Sequence, residues 1–182
     1  MTSQAYENFS HAIQDSADLM QHFDALNKQP PPPEIEVLKR ASLVMALAAL
    51  ETYIEDRVSE AVSSVCVHSN AEDKLKTFYK HSLEVELKSF HSPTVERIKS
   101  IFLKYLNLDV TEGWLWNNCN QEQAKIELNR LVKKRGDIAH RSLRPMPGQP
   151  VAHAVTKDEL RRHIHFIKEL VKATEVYLES KL

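Results

Sequence analysis

Residues 34–68 form a stretch of 35 positions with no glycine and no proline. Glycine and proline are the usual interrupters of helices, so the stretch predicts one unbroken helix. Leu43, Leu47, Leu50, Ile54, Val58, Ala61 and Val65 recur at steps of three and four along it, the spacing of one helical face. At 1.5 Å per residue such a helix runs on the order of 50 Å. Its middle, "LVMALAAL" at 43–50, is apolar on every side. A helix of that kind needs other helices around it, so the chain is expected to be an all-α bundle built about this rod.

The remaining segments supply those neighbours. Residues 5–27 place Tyr6, Phe9, Ile13, Met20 and Phe23 on one side of a helix. "KQPPPP" at 28–33 follows as a stiff connector, because proline lacks the amide hydrogen and blocks the preceding turn. Over 72–90, Leu75 and Phe78 suit a helix, whereas Leu83, Val85 and Leu87 alternate as in a strand; helix is the reading adopted. "HSPTVERIKSIFLKYLNL" predicts a helix with Ser92 as cap and Pro93 in the first helical position. "DVTEGWLWNNC" is a loop or short turn whose tryptophans cover the core. Asn120 and Gln123 cap a helix running to about His140. A proline-rich loop, "RSLRPMPGQPVAHAV", precedes a last helix opened by Thr156 and Glu159, with Leu160, Ile164, Ile167, Val171 and Leu178 inward. The expected fold is an up-and-down bundle of five to six helices. Residues 1–33 form its N-terminal helix and connector, residues 34–182 the bundle proper, in a single domain.

Charge excludes some partners. The net charge of the 182 residues is −1, so no global field draws the chain to nucleic acid or membrane. Residues 125–144 differ, with seven basic residues against two acidic ones, or +5. No apolar run spans a bilayer, and the acidic, amphipathic N-terminus is not that of a signal peptide. Cys66 and Cys119 form no metal or redox motif and fit a reducing, cytoplasmic setting. No histidine spacing suggests zinc; His163 and His165, two apart on a helix, point in different directions. No metal and no cofactor is expected.

The stretch "LVKKRGDIAHRSLRP", 131–145, raises a question of placement. On a helix, Ala124, Leu128, Leu131, Arg135 and Ile138 fall on one stripe, so Arg135 stands where a leucine is expected. A buried guanidinium is costly without a partner. It needs a carboxylate, carbonyls, a wet cleft or an anionic ligand. His140 lies five residues on, roughly 140° round and about 7.5 Å along a regular helix. The two side chains converge if the helix ends or loosens between them, or if a second copy of the helix adds its own pair to a shared cleft. Gly136 suits either route. The alternative is an arginine paired with an acid and a histidine placed at a helix end for its dipole.

The segment "KKRGDIAHR" is similar to the R-x4-6-H signature of the HEPN superfamily, with Arg135 and His140 in the signature positions. "ALAALETYIEDRV" at 46–58 resembles that family's long helix, and "VTKDELRRHIHFIKELVKATEVYL" its last helix. The resemblance is nearest to the RiboL-PSP-HEPN branch and covers about 34–180. It implies a HEPN-like bundle, a site formed where two protomers of a homodimer meet, and metal-independent endoribonuclease activity, with RNA as substrate and a 2′,3′-cyclic phosphate as product. Arg135 and His140 would be catalytic, Glu51 a third candidate that orients either of them, and Lys133, Lys134, Arg141 and Arg144 would hold flanking phosphates. In active family members the residue after the arginine is very often asparagine or another polar residue; here it is Gly136. Toxin–antitoxin or antiviral defence systems, with an antitoxin or other partner protein, are the settings the resemblance implies. A non-catalytic HEPN module binding RNA, a nucleotide or a protein is the alternative, and a structural bundle without a nucleic-acid role a third.

Overall fold

A computed structural model describes residues 3–28, 32–141 and 154–182. Among these residues all regular structure is helical. Six α-helices run in the order α1 (Gln4–Leu26), α2 (Glu36–His68), α3 (Asp73–Leu87), α4 (Val95–Leu106), α5 (Gln121–Arg141) and α6 (Lys157–Lys181), with short 3-10 turns at Pro33–Ile35 and Val110–Gly113. The expected all-α bundle is observed.

The long helix is present at 33 residues, and the others lie along it. α1 buries Ala5, Phe9 and Ile13 in the common core, and Phe23 near its end is buried beneath the Lys39 ammonium, 4.7 Å from the ring centroid. Midway, Ser16 Oγ donates to the Ser42 carbonyl at 2.9 Å and Ser42 Oγ to the Ser16 carbonyl at 2.7 Å, so two small hydroxyls let the helices approach with no orphaned polar atom. Two details of α2 differ from expectation. Met45 stands exposed, so the apolar middle is not enclosed on all sides. Val65 is exposed as well, and Cys66 takes the buried position at that end.

Local rules placed most helix starts. Asn120 and Gln123 exchange side-chain-to-backbone hydrogen bonds, both 2.9 Å, and Thr156 with Glu159 forms a capping box. At α4 the cap is Thr94, whose side chain accepts from Arg97 N, and not Ser92. The next backbone N–H, that of Val95, donates to Asn129 Oδ1 on α5 at 3.0 Å, a tertiary contact that moves the start two residues along. In α3 the apparent alternation resolves on a helix. Leu83 and Leu87, one turn apart, face inward, while Val85 faces solvent.

The two tryptophans do cover the core. Trp114 is fully buried and its Nε1 donates to Thr174 Oγ1 at 3.0 Å; Trp116 packs edge-tilted on Phe166. Gly113 is required beside them, since a Cβ there would collide with the Cβ of Tyr177. No described helix is long and apolar enough to cross a membrane.

Candidate functional site

α5 carries the site. Ala124, Leu128 and Leu131 are wholly buried on its inner stripe and Ile138 nearly so. Arg135 belongs to that stripe but lies at its rim, with 27 % of its side chain exposed. The expectation of a guanidinium held among leucines is therefore corrected: it sits where the core meets solvent. Its Nη1 is 3.1 Å from Glu51 Oε2 and donates to the His91 carbonyl at 3.3 Å. The Glu51 side chain is 17 % exposed. Its Oε2 has no well-directed hydrogen bond, so the pair is held by charge rather than by an aligned N–H. Both contacts use Nη1; Nε and Nη2 make no hydrogen bond with the described residues. A carboxylate, a carbonyl and a partly wet opening, three of the four partners the arginine called for, are thus present together.

His140 is exposed. α5 remains helical from Gln121 to Arg141, so no helix end or loosening between Arg135 and His140 turns them toward each other within one chain. Gly136 is inside the helix, and nothing within the chain comes within 4 Å of where its Cβ would be. Lys133 is exposed, and Lys134 lies 4.0 Å from Glu159. The side chain of Arg141 and all of Arg144 lie outside the described residues, as does most of the proline-rich loop. The structure thus joins Arg135 to Glu51 and sets His140 apart on the outer surface of the same helix.

A second polar cluster was passed over in the sequence. Glu127 accepts from Nε and Nη2 of Arg130, both at 2.8 Å, and lies 3.3 Å from Nδ1 of the buried His163. The other ring nitrogen, Nε2, is buried without a partner. Burial alone would raise the Glu127 carboxyl, but hydrogen bonds from His163 and Arg130 outweigh it and hold the pKa at about 2. A carboxyl lowered on folding stabilises the native state above its unfolded pKa and ceases to do so as pH falls. Thermal stability is therefore expected to fall between about pH 4.5 and pH 2. Melting curves across that range check this, and Glu127→Gln should flatten that part of the profile. The signal was available: 163 follows the inward Leu160 by three. Among the described residues no group of three or more His, Cys, Asp or Glu could hold a metal ion.

The RiboL-PSP-HEPN family model matches residues 10–180. This chain belongs to the RiboL-PSP-HEPN family. The match begins within α1, earlier than the 34–180 expected from the three resembling segments, which agrees with α1 contributing to the common core. No curated protein and no solved structure matches the chain. Within the matched span Glu51 stands beside Arg135, and His140 lies exposed further along the arginine's helix.

Proposed function

We propose that this HEPN domain is a metal-independent endoribonuclease that works as a homodimer, with Arg135 and His140 as catalytic residues and Glu51 as the residue that positions Arg135. The observation that supports it most is the Arg135–Glu51 pair at the rim of the core, in which the partly exposed guanidinium is held through Nη1 and its other donors make no hydrogen bond to the described residues, leaving them for an anion. A planar guanidinium binds a phosphate in bidentate fashion and stabilises the charge that develops on it. The nucleophile is the RNA's own 2′-hydroxyl. As its oxygen bonds to phosphorus, its proton passes to the His140 imidazole. The P–O5′ bond breaks, and the 5′-oxygen takes a proton from the imidazolium or from solvent. The products are a 2′,3′-cyclic phosphate and a 5′-hydroxyl. Histidine suits the transfers because it titrates near neutrality. Lys133, Lys134, Arg141 and Arg144 would hold flanking phosphates. An activity of this kind in the cytoplasm suits a toxin or antiviral effector restrained by a partner protein.

A non-catalytic module is the second reading. Gly136 after the motif arginine and the outward His140 of the single chain favour it. Incubating purified protein with end-labelled RNA in excess chelator separates the two. The expected result is cleavage with cyclic-phosphate ends, reduced roughly a hundred- to ten-thousand-fold in His140→Ala. Salt-sensitive RNA binding without cleavage would establish the module instead, and no binding at all would leave a structural bundle.

A further inference from the structure

Arg40, in the second turn of α2, is 7 % exposed, and its Nε and Nη1 are sealed from water without a hydrogen-bond partner. Glu51, Glu175 and His163 also hold a sealed polar atom that bonds to nothing, but each has an opposite charge beside it, from Arg135, Arg57 and Glu127. Arg40 has none among the described residues. Its neighbours one turn away on α2 are Glu36, Val37, Leu43 and Val44, and Glu36 is committed to Lys39 at 2.9 Å. Arg57, buried to the same degree, shows what such a group ordinarily requires: Glu175 lies 3.0 Å from it.

A guanidinium does not give up its proton in a protein, so Arg40 stays charged in a place where a bare charge is heavily penalised. A lysine there could shed its proton; an arginine needs an anion. We propose that Arg40 is the seat of an oxyanion, a phosphate group bound from outside the chain. Either edge of the guanidinium, Nε with Nη2 or Nη1 with Nη2, offers a phosphate two parallel N–H donors. Each edge includes one of the two orphaned nitrogens.

Phosphate, rather than another anion, follows from where Arg40 lies. Eleven residues separate it from Glu51, three turns and about 20°, so the two share a face of α2 roughly 16 Å apart. Helix directions say on which side of the Arg135–Glu51 pair it falls. α1 runs against α2, with Asn8 at Asp56 and Ser16 at Ser42. It also runs against α6, with Ser3 at Glu175 and Asp24 at Lys157. α5 runs against α6 as well, with Glu127 at His163 and Lys134 at Glu159, so α5 runs against α2. The path along α2 from Glu51 to Arg40 therefore follows α5 from Arg135 toward His140. A phosphate on Arg40 sits beyond the histidine end of the candidate site, where a strand held at Arg135 would continue. The source is a flanking phosphate of RNA or a free phosphate. The first source rests on the endoribonuclease reading; the seat itself does not.

Thermal unfolding of the full chain, with and without inorganic phosphate against chloride at matched ionic strength, tests it. Phosphate well above its Kd should raise the wild-type melting temperature by on the order of 5 °C, the effect of a ligand that binds only the folded state. Arg40→Met should lose that shift, and so should Arg40→Lys, which keeps the charge without the planar fork. In phosphate-free buffer Arg40→Met should melt no lower than the wild type, because it removes a charge that had no partner. No shift in the wild type, or an equal shift in wild type and Arg40→Met, overturns the proposal. So does an Arg40→Met protein that melts well below the wild type or fails to fold, which would reveal an internal partner. Binding of RNA carrying 2′-O-methyl groups throughout, which lacks the attacking hydroxyl, identifies the source. A roughly tenfold loss of binding in Arg40→Met, the scale of a charged hydrogen-bonded contact, assigns the phosphate to RNA; unchanged binding, with the shift still lost, assigns it to free phosphate. A protein that shows the shift and never cleaves RNA upholds the seat and defeats only the catalytic reading.

Discussion

Arg135→Ala is expected to lower kcat/KM for RNA cleavage by roughly a hundred- to a thousand-fold, the scale on which a preorganised charge-stabilising donor acts. The same change should cost roughly 1–3 kcal/mol of stability, because it leaves the buried Glu51 Oε2 without its counter-charge, a loss small enough for the variant to stay folded under assay conditions. That gap between activity and stability is the diagnostic. An arginine kept only for packing would lose both together or neither. Arg135→Lys should not rescue, since an ammonium lacks the planar fork that grips a phosphate at two points. Glu51→Gln should act differently. It removes the charge that holds Nη1 but keeps an acceptor there, so the guanidinium loses its fixed position and keeps its charge. A fall of about tenfold in kcat/KM with little change at Arg135-independent steps is expected, in line with an orienting partner rather than a reacting group. If Arg135→Ala cleaves as the wild type does, Arg135 is a structural residue paired to Glu51 and the catalytic assignment falls with it.

What was legible in advance follows from how local each determinant is. Asn120 with Gln123 and Thr156 with Glu159 act within four residues, so their caps could be read directly and both formed. The rod of α2 needed only the absence of helix breakers. Thr94 displaced Ser92 as the α4 cap because Asn129, 34 residues later, takes the hydrogen bond of Val95, and nothing in the neighbouring sequence announces that. Arg135 was recognised as out of place on its stripe. Glu51 was named as the acid that could orient Arg135 or His140, yet which of the two it would meet depended on how α2 and α5 lie against each other. Val85 shows the opposite failure: its alternation with Leu83 and Leu87 resembled a strand because an exposed valine interrupts an otherwise helical pattern. The site was therefore readable as a set of residue types on α5, whereas the exposure of Arg135 and the outward direction of His140 needed the packed bundle.

Glu175→Leu is expected to destabilise the fold by about 3–5 kcal/mol, the usual cost of removing one partner from a buried ion pair. Glu175 and Arg57 are both almost completely buried, 3.0 Å apart, and tie α6 to α2. The carboxylate does more than balance one charge. Its Oε1 also accepts from Tyr53 Oη at 2.7 Å and from Ser3 Oγ at 2.8 Å, so three elements of the chain close on one oxygen. Burial and the adjacent Glu175 charge together raise the Tyr53 phenol well above its ordinary range, which keeps it a donor at every pH the protein meets. Leucine would fill much of the space but leave a guanidinium and a hydroxyl without their acceptor, and the phenol with only the longer bond to the Val171 carbonyl at 3.5 Å. At 2–4 °C per kcal/mol for a chain of this size, the melting temperature should fall on the order of 10 °C. The double variant Arg57→Met/Glu175→Leu removes the stranded charge as well, and apolar replacement of a whole buried pair is often neutral. It should recover most of the loss. Equal melting temperatures for the single and double variants would mean that the penalty comes from Tyr53 and Ser3 losing their acceptor, and that the arginine is accommodated without its acid.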